Sequence, residues 1–97
     1  MKILWSPLSM ERLEEISDYI AQDNISAANK FIDDVFFKVE ALKDNIEIGR
    51  VVPELLGHSK IREIIFGNYR IIYRYDDKMI SVLTVRHFKQ ILPLDDF

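Results

Sequence analysis

The chain has no cysteine among its 97 residues. That absence removes disulfides, thiolate metal sites and thiol nucleophiles together. No apolar run approaches the ~20 residues that a membrane-spanning helix needs, and no basic-then-apolar leader opens the sequence. The expected compartment is therefore the cytosol, with no membrane association. The three glycines form no phosphate-cradling loop, and there is no nucleophile elbow and no Ser-His-Asp order. The two histidines, His58 and His87, lie far apart without carboxylates at ligand spacing, so no metal and no cofactor is expected. A net charge of −3 lacks the basic excess of a typical nucleic-acid binder. Internal repeats, low-complexity tracts and domain linkers are also missing.

What remains is one domain, residues 1–97. A chain of this length buries about 60–65% of its extended surface, enough for one two-layer core. Its charge is unevenly placed. Residues 1–45 carry five Lys+Arg against nine Asp+Glu, and residues 50–94 carry eight against four. An acidic first half and a basic second half point to a directed interaction through the second.

Lys2–Trp5 is a short apolar strand candidate. Ser6-Pro7 then reads as a cap followed by proline at the first helical position, where its missing N–H costs nothing. Leu13, Ile16 and Ile20 recur at helical spacing, with acidic residues on the other faces. Gln22-Asp23-Asn24 breaks that pattern, and Ser26 is expected to cap a second helix. Its stripe runs through Ala28, Phe31 or Ile32, Val35, Val39, Leu42 and Ile46. A connection this short makes the two helices an antiparallel hairpin. Tyr19 and the Phe36-Phe37 pair are expected to pack within it.

An irregular passage over residues 51–59 follows Gly49-Arg50. Three β-rich segments come next, Arg62–Phe66, Tyr69–Tyr75 and Met79–Val85, joined by the turn signals Gly67-Asn68 and Asp76-Asp77-Lys78. The expected fold is α+β, in the order β-α-α-β-β-β, with the hairpin on one face of a small antiparallel sheet. Alternation along the middle strand puts Ile71, Tyr73 and Tyr75 on one face and Arg70 and Arg74 on the other. Arg62, Arg70, Arg74 and Arg86 make a candidate anion platform, because arginine suits bidentate contacts to phosphate or carboxylate. If Arg62 faces outward, Glu63 points to the helix layer and needs a partner there. Glu54, in the irregular passage, is a candidate base or an ordinary loop glutamate. His87, beside cations, is a candidate acid or base near neutrality, or a strand-end histidine bonded to backbone. His58 reads as a turn residue. The apolar tail Ile91-Leu92-Pro93-Leu94, ending in Asp95-Asp96-Phe97, offers either a cover for an edge strand or an edge left open to a partner.

With those residues in view, the chain resembles the RelE/ParE superfamily of bacterial type II toxins. The resemblance rests on Trp5-Ser6-Pro7, on Tyr19-Ile20-Ala21 and Ala27-Ala28 in the hairpin, and on Gly49-Arg50-Val51-Val52-Pro53-Glu54. It continues through Arg62-Glu63-Ile64, Tyr69-Arg70-Ile71-Ile72-Tyr73-Arg74 and Val85-Arg86-His87. It implies a small growth-inhibiting toxin neutralised by a co-expressed antitoxin. The RelE-like branch implies a ribosome-dependent messenger-RNA endonuclease, with Arg70 at the transition-state charge and Glu54 or His87 in proton transfer. The ParE-like branch implies poisoning of DNA gyrase by binding. The long hairpin, the low basicity and the missing lysine pair near Arg62-Glu63 favour the ParE-like branch, which leaves an inactive antitoxin-binding remnant as a third reading.

Overall fold

The structure, a computed structural model, describes residues 1–89; the tail segment from Ile91 onward, considered above as an edge cover, lies outside the described residues. Strand β1 (Lys2–Trp5) leads into α1 (Pro7–Ala21) and α2 (Ile25–Glu40), which ends in a 3₁₀ turn over Ala41–Lys43. Then come β2 (Arg50–Val51), a 3₁₀ turn over Pro53–Leu55, and the strands β3 (Ile61–Phe66), β4 (Tyr69–Tyr75) and β5 (Met79–His87). The five strands lie in the order β1-β5-β4-β3-β2.

Helix α1 begins as the sequence implies. Ser6 is the N-cap, its Oγ accepts the Ser9 N–H at 2.9 Å, and Pro7 follows it. The same hydroxyl donates to the Leu83 carbonyl at 2.8 Å, which ties the start of the helix to β5. The cap of the second helix lies two residues earlier than expected. Asn24, not Ser26, holds the N-cap, with Oδ1 accepting the Ala27 N–H at 3.0 Å. Asparagine caps at least as well as serine, and it stands immediately after the break in the pattern.

The sheet is mixed rather than wholly antiparallel, because β1 pairs parallel with β5 (Lys2 opposite Met79, Trp5 opposite Val82). The connection between them, through the helical hairpin and β2, β3 and β4, is far longer than the crossover a parallel neighbour requires. A further departure is β2, a two-residue strand inside the passage expected to be irregular, which places Arg50 opposite Glu63 and Val51 opposite Arg62.

The main core lies between helices and sheet. Leu13, Phe31, Val35, Val39 and Leu42 meet Ile71, Tyr73, Tyr75, Ile80, Val82 and Val85 there. Helix spacing of three and four produces the first set, and strand alternation produces the second. A smaller cluster of Val52, Ile61 and Ile72, with Leu55 and Leu83 against it, covers the other face of the sheet. That face is not a bare arginine surface, because the segment around Pro53–Leu55 folds over part of it.

Aromatic residues of the hairpin lie largely outside this core. Tyr19 is 71% exposed and Phe37 77% exposed, contrary to the expected packing. Phe36 is half-exposed and meets the Trp5 ring edge-on at 4.7 Å.

Candidate functional site: a four-residue charge network on the sheet

Arg70 stands at the centre of the sheet, opposite Ile65 on β3 and Arg86 on β5. It shares the face away from the helices with Ile72, as alternation requires. Yet it is only 4% exposed, so its charge needs company. Two carboxylates supply it. Arg70 Nη1 and Nη2 donate to the two Glu54 oxygens at 2.8 Å each, in a bidentate fork. Its Nε donates to Glu63 Oε1 at 2.8 Å, and Nη2 lies 2.6 Å from the same oxygen. Arg50 Nε completes the set, donating to Glu63 Oε2 at 2.6 Å. The Arg70 pKa is raised above the usual guanidinium range, first by the hydrogen bond to Glu54, with burial opposing it and Glu63 adding to the rise. Protonated arginine held by two carboxylates is a fixed structural charge.

The four elements that position this network follow from the fold. Glu63 sits opposite Ile72 on β3 and therefore shares the Arg70 face. Glu54 comes from the 3₁₀ turn that crosses the open face, seated by Leu55 on the small apolar cluster. Arg50 comes from β2, opposite Glu63.

Arg62 is thus on the helix side, opposite Tyr73, and Glu63 is on the open side. This reverses the outward-facing arrangement considered from sequence. Arg62 Nε donates to the Tyr75 hydroxyl at 3.3 Å and Nη1 to the Gly49 carbonyl at 3.0 Å. The Tyr75 hydroxyl is the main reason that its pKa is raised.

The four candidate arginines therefore do not form one surface. Arg70 and Arg86 are neighbours across the ladder, Arg74 is exposed farther along the same face opposite Ile61, and Arg62 lies across the sheet from them. His87 is opposite Tyr69 at the end of β5, and its ring meets the Tyr69 ring at 5.8 Å. Tyr69 in turn packs on Phe31 of α2, so His87 belongs to the helix side while Glu54 and Arg70 meet on the other. His87 Nδ1 accepts the Lys89 N–H at 3.2 Å. His58 occupies a turn in which its N–H donates to Leu55 O and its carbonyl accepts from Ile61 N–H. The carboxylate that sequence reasoning underrated is Glu63, and Arg50 was not singled out as its partner.

Beside this network, Tyr73 is fully buried and bridges two backbone groups of the α2–β2 connection. Its hydroxyl donates to Ile46 O at 2.9 Å and accepts the Gly49 N–H at 3.1 Å. Burial pushes its pKa up, with the Gly49 N–H pulling against it. A raised phenol pKa favours the neutral form in the fold. Stability from this group is full below the ordinary phenol range near ~10 and is lost as pH rises through the folded value. Tyr73→Phe should cost about 1–3 kcal/mol near neutrality by stranding both backbone partners. Urea titrations from neutral to alkaline pH should show this cost shrinking as the wild-type phenol ionises; a pH-independent difference would contradict the assignment.

A helical hairpin and a mixed five-stranded sheet, with Arg70 neutralised by two carboxylates on the open face, define a small two-layer α+β domain. The family model for the ParE toxin of the type II toxin–antitoxin system parDE matches residues 3–92. The chain belongs to that family. Its role is the toxin half of a toxin–antitoxin pair, with a cognate antitoxin as partner. Among solved structures, a chain described as the chromosomal ParDE TA system from P. aeruginosa is similar in fold, with a TM-score of 0.74 and 20% identity, over 92% of this chain and 97% of that one. No curated protein matches the chain.

Proposed function

We propose that this toxin acts in the cytoplasm as a poison of DNA gyrase, by binding rather than by chemistry of its own, and that its cognate antitoxin neutralises it. The observation that carries this reading is the state of Arg70. An endonuclease needs that guanidinium directed at a developing phosphorane charge, whereas here its fork is held by Glu54 and Glu63 within the protein. His87, the other candidate for proton transfer, packs on Tyr69 at the helix side of the sheet. A general acid must come within hydrogen-bond reach of the atom it serves, and Arg70 and His87 address opposite faces. Membership of the ParE family supports the same reading.

Induced expression in a bacterial host, with DNA synthesis and bulk translation followed in parallel, tests it. Early loss of DNA synthesis with filamentation is the expected result. Early translation arrest with cleaved messenger RNA would replace it with the nuclease reading. Normal growth of cells that accumulate the folded protein would leave an antitoxin-binding remnant.

A further inference from the structure

Among the described residues, the large apolar side chain most open to solvent is Leu56, at 81%. It stands in the connection between β2 and β3, and that connection is firmly held around it. Val52 is fully buried, and Leu55 packs on the small cluster that Val52 forms with Ile61 and Ile72. Glu54 is locked to Arg70 by two hydrogen bonds. The Leu55 N–H donates to Val52 O at 2.9 Å, the His58 N–H to Leu55 O at 3.0 Å, and the Ile61 N–H to His58 O at 3.0 Å. Gly57 follows the leucine with a φ of +95°, a conformation that glycine adopts without strain. An apolar group displayed on so fixed a backbone loses little freedom when a partner covers it.

A lone exposed leucine needs no explanation, but this one borders a cationic hollow. The hollow, about 580 Å³, is lined by Leu55 and Ile61 together with His58, Ser59, Lys60 and Arg74. Among the described residues, none of Arg74, Lys60 and His58 forms an ion pair. Lys60 lies over the Tyr75 ring, 5.0 Å from its centre. The acidic residues close by are already engaged. Glu54 holds Arg70, and Asp76, which feels the Lys60 charge, accepts the Lys78 and Met79 N–H groups at 2.8 and 2.9 Å. Arg74 is exposed, and its cross-strand neighbours are Ile61 and Ser81, neither of them charged.

We infer that Leu56 and the cations beside it are the surface with which the toxin grips its protein target. The leucine enters an apolar pocket of that target, and Arg74 and Lys60 meet carboxylates at the pocket's edge. Complementary charge at the rim and an apolar anchor at the centre are the ordinary division of labour in an interface. A nucleic-acid backbone suits the place less well. Phosphate binding draws on a run of cations, whereas Arg70 next along this face is buried between two carboxylates and Arg50 is paired with Glu63. A phosphate chain also offers no pocket for Leu56. Calling the partner the poisoned target rests on the binding-toxin reading above; the surface and the chemistry it selects do not.

The test expresses the whole protein at graded levels in a bacterial host and reads the dose that halves DNA synthesis. Leu56→Asp and Arg74→Glu should each raise that dose on the order of tenfold or more, the affinity equivalent of burying one leucine. Arg74→Lys, which keeps the charge, should stay close to the wild type. Ile25→Asp is the control, because Ile25 is 70% exposed on the hairpin and lies outside the proposed surface. All four purified variants should unfold at the wild-type urea midpoint, as exposed substitutions do. Arrest at the wild-type dose by both Leu56→Asp and Arg74→Glu would overturn the inference and leave the gyrase reading standing. So would an equal loss with Ile25→Asp, or a loss that tracks a lowered urea midpoint. A wild-type dimer in sedimentation that Leu56→Asp dissolves would assign the surface to a second copy and overturn it too. Should the wild type halt translation instead, the gyrase reading falls, and the same variants scored on that arrest decide the inference. Normal growth with the wild-type chain would overturn both.

Discussion

Glu63→Ala should cost the fold about 3–5 kcal/mol, a large part of the total stability of a domain this small. The side chain is wholly buried, and its two oxygens serve Arg70 and Arg50. Deleting it leaves a buried guanidinium with one carboxylate fewer, and removing one member of a buried pair is far worse than never having the pair. Urea unfolding followed by circular dichroism should show the midpoint falling by roughly 1–5 M, with slopes of order 1–3 kcal/mol/M. A shift below about half a molar would mean that Arg70 is solvated or held by Glu54 alone. The companion double variant, Arg70→Met with Glu63→Leu, removes charge from both sides and should recover much of the loss, since well-packed apolar replacements of buried ion pairs are often neutral. That variant also separates the two mechanisms. A binding toxin in which Arg70 is structural keeps arresting DNA synthesis when the pair is replaced, whereas a nuclease relying on Arg70 loses its activity although the protein folds.

The network explains where sequence reasoning succeeded and where it stopped. The hairpin, the three long strands and the faces of β4 were legible because Ser6-Pro7, the Val35–Val39–Leu42 stripe and the Ile71/Tyr73/Tyr75 alternation each choose one period and one phase. Strand β3 gives no such choice. In Ile61-Arg62-Glu63-Ile64-Ile65-Phe66, either face carries two apolar residues and one charge, so alternation does not say whether Arg62 or Glu63 points to the helices. Pairing with β4 decides it by placing Arg62 opposite Tyr73 and Glu63 opposite Ile72. The two-residue strand β2 is too short to leave a periodic signal, and Glu54 reaches Arg70 only because the following turn folds back over the sheet. Four arginines counted along the chain looked like a platform because a list of cations carries no register. Once the register is known, one is neutralised by two carboxylates and one crosses to the other face.

Gly49→Ala is expected to be nearly as damaging as Glu63→Ala, although it adds a single methyl group. A Cβ at this position would lie 2.6 Å from the Glu63 carbonyl oxygen and 2.6 Å from the Tyr73 hydroxyl, with the Tyr73 ring edge at 3.0 Å. The first obstacle is backbone of a paired strand, and the second is a side chain buried from every side. The methyl group therefore pushes the residue 49 backbone away from β3. Three bonds go with it: the Gly49 N–H to Tyr73, the Arg62 bond to the Gly49 carbonyl, and the neighbouring Arg50–Glu63 contact. Overpacking alone costs about 1–3 kcal/mol, and stranding buried polar groups adds about 1–3 more, so a loss of roughly 2–6 kcal/mol should appear as a lowered urea midpoint. Adding Tyr73→Phe to this variant tells which obstacle dominates. It removes the hydroxyl but leaves the Glu63 carbonyl in place, so it should restore little. Full recovery in the double variant would instead place the clash on the phenol, and would show that β2 can shift without disturbing the carboxylate that holds Arg70.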